Sequence, residues 1–240
     1  MNLLITSAAS PLAQRIADGL RPNHTVRLTE RMTVTGLADL AISPLGSDFS
    51  TNLLVRGVEA IVHVAEPLSL DSDHQRIDYL TRCTYNLCMA AAAEGVKRLV
   101  YLNMLDVMAA YEPDYLVGES WRPRPTPAAP LLAKHLGEAT CREFAREFRL
   151  EVVSLRLGTV IPLEDVIDGM YPMWLDARDA VQAVDLALTK PLIRRWSVFH
   201  IQHKADNARF PIFHAEQELG FAPQYNRVES SAKSRVGGGV

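Results

Sequence analysis

Short apolar runs alternate along most of the chain with segments whose apolar positions recur at helical spacing. The clearest run, from Ala60 to Ala65, indicates a strand buried on both faces. A helical pattern from Asp73 to Glu94 follows it, and Gly95 is placed to end that helix in a left-handed conformation. Strands that alternate with helices in this way form a parallel sheet with helices on both faces. The pattern therefore predicts an α/β protein with a doubly wound parallel sheet.

The remaining elements follow the same alternation. Further strands are predicted at residues 3–5, 25–28, 40–42, 98–103, 152–157 and 196–201. Further helices are predicted at residues 11–20, 50–56, 131–148, 179–189 and 211–219. The four prolines in residues 121–130 predict a loop there. We expect a core of residues 1–160, a reduced C-terminal lobe of residues 161–228 packed on the same domain, and a flexible tail of residues 229–240.

Composition excludes several classes of protein. The 240 residues carry a formal net charge of −3, so no basic field is present for nucleic-acid binding. No apolar run is long enough for a membrane helix, and the amino terminus has no signal-peptide pattern. The three cysteines show no metal-type spacing and are read as reduced thiols of a cytoplasmic protein. His200 and His203 have no third ligand at a fitting spacing, so no metal site is predicted.

The loop after the first strand is where a dinucleotide would sit in such a fold. A dinucleotide-binding turn uses glycines for the tight turn, for close approach of the pyrophosphate and for helix packing. The loop from Thr6 to Ala13 contains no glycine. Pro11 also removes one N–H from the start of the helix, although the Leu12 N–H and the helix dipole remain. The loop therefore predicts either a weakened phosphate site or an ordinary strand–turn–helix.

Several motifs resemble the extended short-chain dehydrogenase/reductase family, which includes NAD-dependent epimerases and dehydratases. The most specific are Thr84-Tyr85-Asn86-Leu87, Gly95-Val96-Lys97-Arg98-Leu99-Val100-Tyr101 and Leu219-Gly220-Phe221-Ala222-Pro223. The resemblance spans about residues 2 to 227, with a shortened segment where the family has a substrate-binding insertion. It implies a Rossmann-type fold, binding of NAD or NADP, and a homodimer formed by the helices from Asp73 to Glu94 and from Leu131 to Phe148.

The resemblance also assigns candidate cofactor-binding residues. Ser7, Ser10 and Ala13 stand where the family has its three glycines, and Glu30 and Arg31 stand at the end of the second strand. There an acid holds the ribose hydroxyls of NAD, while an arginine accepts the 2′-phosphate of NADP. The full candidate set is Thr6, Ser7, Ser10, Pro11, Leu12, Glu30, Arg31, Asp48, Phe49, Ala65 and Lys134.

The family's catalytic positions are only partly kept. Lys134 stands at the place of the catalytic lysine, but the tyrosine four residues earlier is Pro130 and the serine is Met104. Neither proline nor methionine offers a proton. Asn103 is a candidate polar group near the site. The loop residues Tyr111 and Tyr115 and the acid Asp106 are alternative sources of an acid/base group.

These replacements leave two functional hypotheses. The first is a pseudoenzyme, a nucleotide-binding or protein-interaction and regulatory module without the family's usual catalysis. The second is an active NAD(P)-dependent oxidoreductase or epimerase that acts on a sugar nucleotide or a related carbonyl or alcohol, with relocated acid/base residues. The simultaneous loss of glycines, tyrosine and serine favours the first.

Overall fold

The computed structural model describes residues 1–37, 39–67, 72–166, 173–205 and 208–226; the tail predicted at 229–240 lies outside them. Seven parallel strands form the central sheet in the order β3-β2-β1-β4-β5-β6-β9. Their bounds are β1 Asn2–Ile5, β2 Thr25–Glu30, β3 Leu40–Ile42, β4 Ala60–His63, β5 Arg98–Met104, β6 Glu151–Leu157 and β9 Trp196–Ile201. The short strands β7 (Thr159–Val160) and β8 (Trp174–Leu175) pair separately. The predicted Rossmann-type sheet is confirmed.

Helices cover both faces of this sheet. They are α1 Pro11–Leu20, α2 Phe49–Val55, α3 Asp73–Asp78, α4 Thr84–Ala93, α5 Ala129–Glu147 and α6 Ala177–Thr189. On one face, Leu3 and Ile5 pack in the cluster that contains residues of α1 and α6. On the other face, Leu4 packs with residues of α4 and α5. Successive side chains of β1 therefore enter opposite cores, as the alternation of a strand requires. Among the described residues, no helix is both long and apolar enough to cross a membrane.

Three predicted elements differ from the structure. The helix predicted at residues 211–219 is π-helical over Ala215–Leu219. The predicted helix over residues 73–94 contains a π-helical segment, Tyr79–Cys83, between α3 and α4. Helix α5 begins at Ala129, inside the proline-rich stretch predicted as a loop. Pro130 is tolerated there because the first-turn N–H groups of a helix have no intrahelical acceptor to lose.

The sheet order reverses between β1 and β4, because the chain runs outward from β1 to β3 and then returns to the other side. Rossmann-type folds bind their ligands outside the carboxyl ends of the strands at such a switch point. The residues that follow β1 and β4, and those at the end of β5, meet at this edge. The edge is consequently the place to examine for a functional site.

Candidate active site

The turn between β1 and α1 adopts the conformation of a glycine turn without a glycine. Ser7 has φ of 57°, in the left-handed region. The Ser10 N–H donates to the Ser7 carbonyl at 2.9 Å, which closes the turn, and the Ala8 N–H donates to the Thr29 carbonyl at 3.1 Å. A non-glycine residue in this region carries roughly 1–2 kcal/mol of backbone strain. The turn thus keeps a left-handed residue without a glycine, and this backbone strain is its energetic cost.

Side chains from three elements hold this turn in place. The Ser7 hydroxyl accepts from the Glu66 N–H at 3.0 Å. Burial raises the pKa of the Tyr79 phenol, and the Ser7 hydroxyl opposes that shift. The Glu30 carboxylate accepts from the Ala9 N–H at 3.2 Å and from the Arg31 N–H at 2.8 Å. Glu30 is only 1% exposed. The acid at the end of β2 therefore supports the backbone of the phosphate-type turn directly.

Thr6 joins the first strand to β4 and α4 through a buried histidine. The Thr6 hydroxyl lies 2.8 Å from Nδ1 of His63, and Nε2 of His63 lies 2.9 Å from the Thr84 hydroxyl. Burial, assisted by the charge of Lys134, lowers the pKa of His63 to about 3. His63 is accordingly neutral at physiological pH and connects the two hydroxyls.

Lys134 lies one and a half turns into α5 and points its amine at the ends of two strands. Its Nζ donates to the Val64 carbonyl at 3.0 Å and to the Leu102 carbonyl at 2.9 Å. The side chain is 8% exposed, and Nζ lies 3.7 Å from Oε1 of Glu66. Burial lowers the pKa of Lys134, while the Glu66 carboxylate opposes that shift. The retained lysine is thus a buried amine with one acidic neighbour.

Glu66 connects the turn to the lysine. Its Oε2 accepts from the Ser10 hydroxyl at 3.0 Å, and its side chain is 47% exposed. It lines two neighbouring cavities of about 500 Å³ each, one beside Ser10, Pro11 and Leu12 and the other beside Pro130 and Lys134. The Glu66 carboxylate therefore stands between the two cavities, against the start of α1.

The places of the family's serine and tyrosine both face the second cavity. Met104 and Pro130 line it together with Lys134. Within the described part of the chain, the residues that line the two cavities include neither Tyr111 nor Tyr115. The Tyr111 phenol instead donates to the Arg122 carbonyl at 2.7 Å.

Asn103 lines the first cavity and belongs to a buried polar network. Its amide donates to Oε2 of Glu138 at 2.6 Å, and its carbonyl oxygen accepts from the Met104 N–H at 2.8 Å. Glu138 also accepts from the Ser154 hydroxyl at 2.8 Å and from Arg156 at 2.6 Å. Burial opposes ionisation of Glu138, but Arg156 and the other donors hold its pKa below the usual range. The network ties α5 to β5 and β6.

The two candidates at the adenine end lie at the start of α2. The Asp48 carboxylate caps this helix by accepting from the Ser50 N–H at 2.9 Å. Phe49 is 63% exposed, with the Arg56 guanidinium 5.5 Å from its ring centroid. Neither residue contacts Glu30 or Lys134 through a hydrogen bond or ring contact that the described residues form.

Comparison with known proteins identifies the family. The profile of the NAD-dependent epimerase/dehydratase family matches residues 39–164. The chain belongs to this family. Uronate dehydrogenase of Pseudomonas syringae pv. tomato is 26% identical over 205 residues, covering 83% of this chain and 74% of that protein. L-arabinose 1-dehydrogenase (NAD(P)(+)) of Haloferax volcanii is 24% identical over 247 residues, covering 93% and 96%.

Solved structures share the fold of this epimerase/dehydratase family member. Uronate dehydrogenase from Agrobacterium tumefaciens aligns with a TM-score of 0.79 at 23% identity, covering 94% of this chain and 85% of that one. A short-chain dehydrogenase/reductase superfamily protein from the same organism, with bound NAD, aligns with a TM-score of 0.78 at 18% identity, covering 93% of each chain. Structures at this level of identity show the fold, and the matched family is described as NAD-dependent.

The sequence predicts Ala65 as a cofactor-binding residue and does not identify Glu66. Ala65 has φ of 57°. This left-handed residue precedes Glu66, whose N–H bonds Ser7 and whose carboxylate bonds Ser10. One sequence feature marks Glu66 as a site residue: it is an acid directly after a buried strand, at a place where the family has small residues.

Proposed function

We propose that this protein is an NAD(P)-dependent oxidoreductase that interconverts an alcohol and a carbonyl on a small polyhydroxylated substrate. The observation that carries the proposal is the retained Lys134, buried at the switch point and paired with Glu66 between two cavities. The bound nicotinamide would supply the hydride acceptor or donor. Relatives named uronate dehydrogenase and L-arabinose 1-dehydrogenase support a sugar or a sugar acid as the substrate class.

The donor set at the turn fits a dinucleotide. The Ser10 hydroxyl already donates to a carboxylate oxygen, an acceptor of the same kind as a phosphate oxygen. Ser7 supplies the left-handed conformation that the turn requires. A pyrophosphate at the start of α1 would face the Leu12 N–H and the positive end of the helix dipole, beside the Ser10 hydroxyl. The acid Glu30 at the end of β2 favours NAD over NADP, because a carboxylate repels a 2′-phosphate.

The first cavity suits a polyhydroxylated molecule. Its volume of about 500 Å³ is ordinary for a small-molecule site. It offers a cation, a carboxylate and a hydroxyl from Arg15, Asp106 and Thr159. Ile161 and Pro162 also line it, so we propose that residues 161–228 serve as a reduced substrate lobe.

The non-catalytic hypothesis depends on Met104 and Pro130, which offer no proton. Membership in an NAD-dependent family and the titratable pair beside these two residues favour the oxidoreductase instead. Calorimetric titration with NAD⁺, NADH, NADP⁺ and NADPH separates the hypotheses. We expect micromolar binding, tighter for NAD⁺ than for NADP⁺, followed by nicotinamide reduction in a screen of uronic acids and aldoses. Absence of heat with all four dinucleotides would refute the oxidoreductase proposal.

We also propose a homodimer formed through the helical stretch that ends with α4 and through α5. Tyr85 and Met89 on α4 are 49% and 39% exposed, and Phe148 at the end of α5 is 39% exposed. A second copy would cover these apolar side chains. Light scattering should give twice the chain mass for wild type and the mass of a single chain for Met89→Glu.

We further propose a cytoplasmic location, which the three free, buried thiols support.

A further inference from the structure

We infer that the Lys134 amine is itself the general base of the reaction and that Glu66 relays its proton to solvent. The inference rests on the proposed function. It begins from the two replaced positions, since Met104 and Pro130 face the second cavity and offer no proton to a substrate. Among the residues that the structure describes, the titratable side chains that line the same cavity are Lys134, Glu66 and Arg76. Arginine does not deprotonate in proteins, which leaves the lysine and the glutamate.

The geometry at Nζ leaves one position for proton transfer. An ammonium has three hydrogens, and a neutral amine has two hydrogens and one lone pair. The Val64 and Leu102 carbonyls accept two hydrogens, at 3.0 and 2.9 Å. These two bonds are satisfied in either protonation state. The third position, a hydrogen on the ammonium or a lone pair on the amine, is the one that exchanges with Glu66 or a substrate.

Glu66 has the position of a relay. Its Oε1 lies 3.7 Å from Nζ of Lys134, close enough for transfer after a small movement or through one water. Nearly half of its side chain is exposed, so a proton received from the buried amine reaches solvent directly. The Ser10 hydroxyl holds the other oxygen at 3.0 Å and fixes the carboxylate in this orientation.

The groups around the amine are consistent with a neutral form. His63, on β4, is buried and neutral. Arg76 lines the cavity from α3 with a positive charge, which disfavours a second cation. Glu138, one turn further along α5, is neutralised by Arg156 at 2.6 Å. Glu66 is consequently the acid that favours the ammonium, against the desolvation that favours the amine.

In the oxidation of an alcohol, Lys134 accepts one proton from the substrate. The substrate O–H bond breaks and its proton bonds to the lone pair on Nζ of Lys134. The electron pair left on oxygen forms the carbonyl π bond as the C–H hydrogen leaves with its electron pair. A bound oxidised nicotinamide would supply the acceptor for this hydride. Lys134 then passes the proton to the Glu66 carboxylate and so to water. Reduction runs the same transfers in reverse.

The test compares Glu66→Gln with Glu147→Gln, which removes the same charge from an exposed position of α5. One readout does not need turnover: NMR of lysine ε-carbons against pH, in a chain with only five lysines. Assignment comes from the signal lost in Lys134→Arg. We expect the pKa of Lys134 to fall in Glu66→Gln, because the opposing carboxylate is removed, and to stay unchanged in Glu147→Gln. Glu66→Asp should retain part of the wild-type value.

The second readout is the pH dependence of kcat/KM for alcohol oxidation. In wild type, kcat/KM should rise with pH as the Lys134 amine becomes neutral. In Glu66→Gln this rise should occur at lower pH, displaced by the change in the Lys134 pKa that NMR measures. The plateau should fall about a hundredfold as the relay is lost, at the lower end of the range usual for general acid–base groups. The inference would be overturned if the Lys134 pKa were unchanged in Glu66→Gln, or if the pH dependence of kcat/KM did not shift with that pKa. Either result would leave the oxidoreductase proposal intact. A wild-type protein that binds no dinucleotide would overturn both.

Discussion

The left-handed serine in the first turn allows a direct test of how the sequence supports the site. Ser7 has φ of 57° and is buried. Replacement by alanine removes its hydroxyl but keeps the strained backbone. Replacement by glycine removes the same hydroxyl and also relieves the strain. The difference in the free energy of unfolding between Ser7→Ala and Ser7→Gly therefore measures the effect of the backbone alone.

The magnitudes follow from the contacts of the hydroxyl. The Ser7 hydroxyl loses its bond to the Glu66 N–H in both variants. Such a bond contributes about 1 kcal/mol. Glycine regains roughly 1–2 kcal/mol of left-handed strain, but it loses about 0.5–1 kcal/mol to the greater freedom of its unfolded chain. Ser7→Gly should therefore be more stable than Ser7→Ala by about 0.5–1 kcal/mol.

Urea unfolding measures the difference as a shift in midpoint at constant slope. Ser154 provides the matched control, because it is buried inside β6 and also uses its hydroxyl, to bond Glu138. At a strand position the order should reverse, with Ser154→Ala more stable than Ser154→Gly. If Ser7→Ala equals or exceeds Ser7→Gly in stability, Ser7 carries no left-handed strain and this account of the turn is wrong.

Two further predictions concern the support of the site. Glu138→Gln should lower the free energy of unfolding by about 3–5 kcal/mol, because it leaves the buried Arg156 uncompensated. The folded-state pKa of Glu138 is depressed, so its contribution to stability is present above the unfolded value of about 4.3 and is lost as pH falls through the folded value. Thermal unfolding against pH should therefore show a larger loss of stability in acid for wild type than for the variant. Gly137→Ala should destabilise by about 1–3 kcal/mol, because its Cβ would lie 2.3 Å from the Tyr101 hydroxyl. Gly118→Ala, which meets open space, is the control, and equal unfolding midpoints for the two alanine variants would contradict the packing argument.

Much of the architecture could be predicted because it depends on local signals. The apolar run from Ala60 gave a buried strand, and Pro11 gave the first residue of a helix. The Ser10 hydroxyl does not cap that helix and donates to Glu66 instead. Gly95 has φ of 76°, the left-handed end predicted for the preceding helix. The retained lysine was located from motif spacing, and the structure places it at the switch point of the sheet.

The details of the site could not be predicted, because they depend on contacts between distant segments. Glu30 appeared in the sequence as a ribose-binding acid, but its carboxylate accepts N–H groups of the turn and is almost fully buried. The π-helical segment Tyr79–Cys83 has no sequence signature in the helical pattern, although Tyr79 reaches Ser7 from it. Such segments occur often at functional sites, where an extra residue per turn re-aims a side chain.

The two strained turns argue for function rather than for a bare scaffold. Ser7 and Ala65 both have φ of 57°, one after β1 and the other after β4, and the residue after Ala65 donates its N–H to the Ser7 hydroxyl at 3.0 Å. Each position carries roughly 1–2 kcal/mol of strain that a glycine would avoid. Strain of this kind persists where the surrounding structure over-determines it, and it clusters at active and binding sites. Here it brings Glu66 to Ser10 and to within 3.7 Å of Lys134. A module kept only for its surface would gain stability by relaxing both turns, whereas an enzyme that has moved its proton-transfer group to Glu66 and Lys134 depends on them.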